Sequence, residues 1–124
     1  MDEKSRSIHS HALPNYDKAV IPSDKLEKYA LDPAHDKGKH KARVFKSALG
    51  FEQSNWQELK KGILDELPYH QAVEGGEGSW GQKYTVTFPI TGPNGRTVEV
   101  ETVWIIRPGT DFPSLVTTLV AKER

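Results

Sequence analysis

Between residues 37 and 46 the sequence sets Lys37, Lys39, Lys41, Arg43 and Lys46 with no acidic residue among them, and His40 stands at their centre. An imidazole titrates near neutral pH and can take or give a proton, whereas ammonium and guanidinium groups keep their charge and hold phosphate. These residue types suit cleavage of a phosphodiester: histidine moves a proton from or to a ribose oxygen, and the cations stabilise charge on the phosphorane. His40, Lys41 and Arg43 are the candidates for that chemistry, with Lys37, Lys39, Lys46 and Arg107 on phosphate. From the C-terminal half, the hydroxyls of Tyr84, Thr102, Thr117 and Thr118 are available to complete a cleft, and Trp104 offers a platform for a base. Against this stand plain structural roles. Threonine favours strands, tryptophan fills cores, and basic runs are common on solvated helix surfaces.

Other chemistries lack their residues. The chain has no cysteine, hence no disulfide, thiolate ligand or thiol nucleophile. His9 with His11, and His35 with His40, each want a third ligand, so no metal is expected and no cofactor is called for. There is no His-Glu-x-x-His, no phosphate-binding P-loop, no Gly-x-Ser-x-Gly and no Gly-x-Gly-x-x-Gly. Asp65-Glu66 and Glu99/Glu101 read as exposed charges rather than a hydrolytic carboxylate pair.

Seventeen basic and seventeen acidic side chains cancel over 124 residues, yet they are segregated. Residues 1–50 hold ten Lys/Arg against seven Asp/Glu, residues 52–101 four against eight, and residues 102–124 three against two. The length suits one domain. No apolar run approaches the roughly 20 residues of a membrane span, so no membrane anchor is expected, and Met1-Asp2-Glu3-Lys4 does not begin a signal peptide.

The elements that would position the basic run follow from period and punctuation. Residues 1–12, with Ser5, Ser7, Ser10, His9 and His11, read as a flexible arm, and residues 13–124 as a single domain. Ser23 or Asp24 caps a short helix with Leu26, Tyr29 and Ala30 on one face, stopped at Asp32-Pro33. A second helix spans about Lys39 to Leu49, with Ala42, Phe45 and Leu49 as its apolar stripe and Gly50 as its cap. His40 falls beside that stripe, in line with Arg43. A third helix is expected from a capping box at Ser54-Asn55-Trp56-Gln57 to Leu67, with Pro68 ending it.

After a glycine-rich connector over residues 75–81 the hydrophobic period becomes alternating. Strands are predicted from Tyr84 to Ile90, from Thr97 to Arg107 and from Ser114 to Ala121, with a fourth possible over 69–73. Pro89 marks an edge or a bulge. On the long strand Val98, Val100, Thr102, Trp104 and Ile106 face one way, and one face is expected to line a cleft. The fold class is therefore α+β, with N-terminal helices packed on a three- to four-stranded antiparallel meander.

Several stretches resemble an uncharacterised bacterial domain family: Leu13-Pro14-Asn15, Ala19-Val20-Ile21-Pro22, Gly38-Lys39-His40-Lys41-Ala42-Arg43-Val44-Phe45, Ala48-Leu49-Gly50, Thr91-Gly92-Pro93-Asn94-Gly95-Arg96, Thr102-Val103-Trp104-Ile105 and Pro113-Ser114-Leu115-Val116-Thr117. That family occurs as a short stand-alone protein and at the C-terminal tip of polymorphic toxins of contact-dependent or Rhs-type systems. In layout the chain is also similar to the barnase, EndoU, colicin and RelE superfamily of ribonuclease toxins. The resemblance implies a metal-independent endoribonuclease toxin, with tRNA among its candidate substrates. It implies 2′-hydroxyl attack, with His40 transferring the proton, Lys39, Lys41 and Arg43 on phosphate, and Thr102 and Thr117 facing the cleft. Its partners would be RNA and a cognate, acidic immunity protein covering residues 37–46, and it would act in the cytoplasm of a target cell. The alternative is a non-enzymatic module whose basic helix binds nucleic acid or an acidic protein.

Overall fold

The computed structural model describes residues 6–122. Among the described residues three α-helices, with short 3₁₀ and π turns between and beside them, precede four strands. Helix α1, Ser23–Lys25, runs on into a π-helical turn over Leu26–Ala30; α2 spans Lys39–Leu49 and α3 spans Trp56–Glu66. Strands β1 (Ala72–Gly78), β2 (Gly81–Thr91), β3 (Thr97–Ile106) and β4 (Ser114–Lys122) form one antiparallel sheet in the order β1-β2-β3-β4. The fold is α+β.

Period-2 alternation sorts the strand side chains onto two faces, and the helices cover one of them. Val86, Phe88 and Ile90 of β2, Val98, Val100 and Trp104 of β3, and Leu115 of β4 pack against Phe45, Ala48 and Leu49 of α2 and Leu59 and Ile63 of α3. Leu26 and Ala30 of the π turn close the same core. The spacing of Ala42, Phe45 and Leu49 makes this unavoidable, because an eleven-residue helix with one apolar stripe buries that stripe.

The sheet also fixes the end of α2. Gly50 adopts φ 84°, a left-handed cap, and its N–H returns to Lys46 and Phe45 carbonyls. The β2–β3 turn supplies further donors: Asn94 N–H to the Leu49 carbonyl, Asn94 Nδ2 to that of Ala48 and Arg96 Nη1 to that of Ser47. The last carbonyls of α2 are thus satisfied by the sheet, which holds the helix in one place.

Several boundaries differ from those expected. The box at the start of α3 is built by Glu52 and Asn55, so a 3₁₀ turn over Gln53–Asn55 precedes the helix, which begins at Trp56. The glycine-rich residues 75–78 are strand, not connector, because Gly78 and Gly81 meet in a tight hairpin. Pro89 lies past Val86, the last β2 residue paired with β1, so its missing N–H breaks no bond to that strand.

Residues 1–5 of the expected arm lie outside the described residues. Residues 6–12 are held to the body: Arg6 grips Glu66 with Nη2–Oε1 at 3.0 Å, His9 N–H donates to the Pro68 carbonyl, and Ala72 N–H donates to that of His11. Among the described residues no helix is long and apolar enough to cross a membrane.

Candidate functional site

The first turn of α2 carries Lys39, His40 and Lys41 and no acidic residue. Its N-terminus takes its shape from the loop before it. His35 Nδ1 accepts the N–H groups of Lys37 and Gly38, each at 3.0 Å, which bends the chain into the helix. Gly38 sits where a Cβ would lie 2.1 Å from the Tyr29 carbonyl oxygen, so the helix start presses directly on the π turn.

Two faces of this turn carry different groups. On one, Lys39, His40, Arg43 and Lys46 border a cleft of about 770 Å³ between α2 and the Phe51–Ser54 stretch. Leu31, Ala42 and Phe51 line it with apolar surface, and Glu52, Gln53 and Ser54 form the far side. Gln53 Nε2 donates to the Glu27 carbonyl at 2.6 Å, tying that side to the π turn. Glu52 meets Lys46 at 3.5 Å.

Within the cleft Arg43 Nη2 lies 3.0 Å from His40 Nδ1. A guanidinium has only donors, so Nδ1 accepts and the ring hydrogen sits on Nε2. A phosphate arriving in the cleft offers Arg43 a charged acceptor, a stronger partner than a ring nitrogen. The guanidinium then leaves Nδ1 free to take a proton. The arrangement can bind an anion and couple that binding to release of a base.

On the other face Lys41 is half-buried, and its Nζ donates to Tyr29 Oη and Thr117 Oγ1, both at 2.8 Å. Lys41 holds the Tyr29 phenol below the usual tyrosine value, working against burial, with smaller help from Thr117 and Lys25. Thr117 reaches Lys41 because the β3–β4 register slips between Val103 and Trp104, leaving Val116 as the extra residue on β4.

The structure thus brings His40, Arg43, Lys39 and Lys46 together, and Lys41 with Thr117. It removes the other expected members. Thr102 is fully buried: its Oγ1 donates to the Val86 carbonyl at 2.7 Å and accepts Trp104 Nε1 at 2.8 Å. Trp104 is 0% exposed, so it is a core side chain and not a stacking platform. Thr118 is likewise buried and donates to the Glu101 carbonyl.

Tyr84 pairs with Glu74 across the sheet, and its phenol is pushed up by burial and by Glu74 and Glu77, surroundings that repel a phosphate. Arg107 stands beyond β3, four residues past the Val103–Thr117 rung and so roughly 13 Å along the strand from it. Lys37 is exposed on the loop and does not border the cleft. The expected cleft on the sheet face is replaced by the one beside α2.

Two participants were missed. Glu52 lies six residues beyond the basic run and faces it only because α2 turns sharply into α3. Tyr29 meets Lys41 across twelve residues of sequence, and the one hint was its place on the apolar face of the first helix. Among the described residues no three His, Cys, Asp or Glu side chains gather as a metal cluster would.

A family model described as "Domain of unknown function (DUF6883)" matches residues 12–122. The chain belongs to that family. The match takes in both faces of the α2 start and all four strands, so the cleft and the Lys41 cluster lie within the family domain. No curated protein and no solved structure matches the chain.

Proposed function

We propose that this DUF6883 domain is a ribonuclease of the toxin/immunity kind, binding an RNA phosphate in the cleft beside α2. The observation that carries it is the His40–Arg43 pair, 3.0 Å apart, in a cleft shared with Lys39 and Lys46. Arg43, Lys39 and the N-terminus of α2 supply positive potential where charge builds on the phosphorane. His40 Nδ1, once Arg43 turns to phosphate, takes the proton of the ribose 2′-hydroxyl. The 2′ oxygen then attacks phosphorus as the phosphorus–O5′ bond breaks, the 5′ oxygen leaves with a proton from water, and the product is a 2′,3′-cyclic phosphate. The catalysis uses side chains alone and calls for no cofactor. As a toxin tip it would act on RNA, tRNA included, in the cytoplasm of a target cell, and an acidic immunity protein would cover residues 37–46.

The test is incubation of the purified domain with total RNA and with tRNA, beside His40→Ala, with product ends analysed for cyclic phosphate. Cleavage by the wild type and its loss in the variant is the expected result, matched by growth arrest on induced expression only of the wild type. Undiminished cleavage by His40→Ala would overturn the site. A second reading draws on the burial of Thr102 and Trp104, which takes a base platform away from the surface. In that reading the basic helix binds nucleic acid or an acidic protein without chemistry, and intact RNA with retained binding would select it.

A further inference from the structure

A phosphate fills only a small part of the cleft beside α2. At about 770 Å³ the cleft lies within the range, roughly 300–1,000 Å³, of sites that enclose a whole small molecule. Its two walls differ in chemistry. The α2 wall presents Lys39, His40 and Arg43, groups that hold an anion. Between the walls the lining is apolar: Leu31, Ala42 and Phe51 are buried, and Pro33 stands exposed beside them. The far wall is made by Glu52, Gln53 and Ser54.

The bonds already made on that far wall decide what it has left to offer. Gln53 turns its amide nitrogen to the Glu27 carbonyl at 2.6 Å, and its amide oxygen is the acceptor that remains. An ionised Glu52 only accepts, and its two oxygens carry about four lone-pair sites. Its carboxylate takes the Asn55 N–H as the cap of the 3₁₀ turn ahead of α3 and stands 3.5 Å from Lys46 Nζ. Those two contacts hold it on the rim and leave lone pairs for a ligand. The ligand that fits is an anion at one end, a flat body in the middle and a row of N–H donors along the far edge. Among the four bases of RNA, guanine sets two donors side by side on one edge, N1–H and the N2 amino group. Adenine, cytosine and uracil each place an acceptor next to the donor.

We propose that the far wall is a guanine subsite, in which Glu52 and the Gln53 amide oxygen accept the N1–H and N2 hydrogens while the base lies over Pro33 and the apolar floor. The proposal rests on the ribonuclease reading for the place of the cut. His40 acts on a 2′-hydroxyl, and that hydroxyl, its ribose and its base belong to one nucleoside. The guanosine is therefore the nucleoside 5′ of the broken bond, and it keeps the cyclic phosphate.

The test is calorimetric titration of the purified domain with the 3′-monophosphates of guanosine, inosine and adenosine, and with inorganic phosphate. Guanosine monophosphate should bind tightest, inosine monophosphate, which lacks the N2 amino group, less well, and adenosine monophosphate weakest, over a span of roughly 10- to 100-fold. Equal affinities for the three nucleotides overturn the proposal without any variant. Glu52→Gln keeps an oxygen for the cap and frees Lys46, so inorganic phosphate should bind more tightly while the preference for guanosine over adenosine falls toward one. Tighter binding of all four ligands with that preference unchanged is the mark of a purely electrostatic Glu52, and it overturns the subsite. Where the wild type cleaves RNA, sequenced 3′ ends should be guanosine. Ends shared equally among the bases overturn the subsite and leave the ribonuclease reading standing. Selective guanosine binding with RNA left intact removes the ribonuclease reading and keeps the subsite.

Discussion

Replacing Thr102 by valine separates a core hydroxyl from a catalytic one. The two side chains have nearly the same shape, so the change removes hydrogen bonds without opening a cavity. Trp104 Nε1–H, fully buried, loses its acceptor at 2.8 Å, and the Val86 carbonyl loses a donor at 2.7 Å. A buried donor left unmet costs about 1–3 kcal/mol, and the lost bond to the carbonyl about 1 kcal/mol more. The expected loss is therefore about 2–4 kcal/mol, which for a domain of this size lowers the melting temperature by roughly 8–15 °C. Thr102→Ser keeps the hydroxyl and should lose only about 1 kcal/mol for the missing methyl. The assay is thermal melting with denaturant midpoints, the slope m staying constant, followed by RNA cleavage well below the melting temperature. Thr102→Val should be much less stable and cleave at the wild-type rate. A variant as stable as wild type but inactive would refute the inward placement of Thr102 and return the hydroxyl to the site.

The grip of Arg6 on Glu66 should show in the pH dependence of stability. Arg6, with a smaller contribution from His70, holds the Glu66 carboxyl below its ordinary value of 4.5, against burial. A depressed carboxyl stabilises the fold above that value and loses the contribution as pH falls through the folded one. Glu66→Gln should thus melt below wild type at pH 7, the gap closing in acid below about pH 4.5; a gap that does not change with pH would refute the pairing. For the cleft, Lys39→Gln should weaken RNA binding uniformly across sequences and flatten the dependence of log affinity on log salt by roughly 0.7 to 1. An unchanged slope would place the RNA elsewhere.

Much of the frame was legible because periodicity carries it. Ala42, Phe45 and Leu49 recur at helical spacing, Val98, Val100, Thr102 and Trp104 at strand spacing, and both stripes became core. The basic residues on the flank of α2 were legible for the same reason, since an apolar stripe fixes what the remaining positions face. The errors share a cause. Thr102 and Trp104 lie on the face that meets the helices, and the sequence shows two faces of β3 without saying which is covered. The hairpin of β1 and β2 was hidden because glycines at 75, 76 and 78 mimic a linker. Tyr29 and Glu52 depend on how three helical segments cross, and that is set by the core they share rather than by local spacing.

Zero net charge over the whole chain does not by itself set the field at the cleft. Over the whole chain the charges cancel, but electrostatic attraction acts locally, because screening at physiological salt has a range of about 8 Å. Lys39, Arg43 and Lys46 border one cleft within two helical turns. Glu74 and Glu77 belong to the β1–β2 hairpin, where they act on Tyr84, and Glu99 and Glu101 stand on β3. The field at the cleft is set by Lys39 and Arg43, with Lys46 paired to Glu52 on the far side, and is strengthened by the helix N-terminus, worth about half an elementary charge. The same arrangement is unfavourable to the free protein. Cations in a first helical turn oppose the dipole by about 0.3–1 kcal/mol each, and α2 carries two lysines there without an acid. An anion bound in the cleft beside Lys39 would offset part of that repulsion.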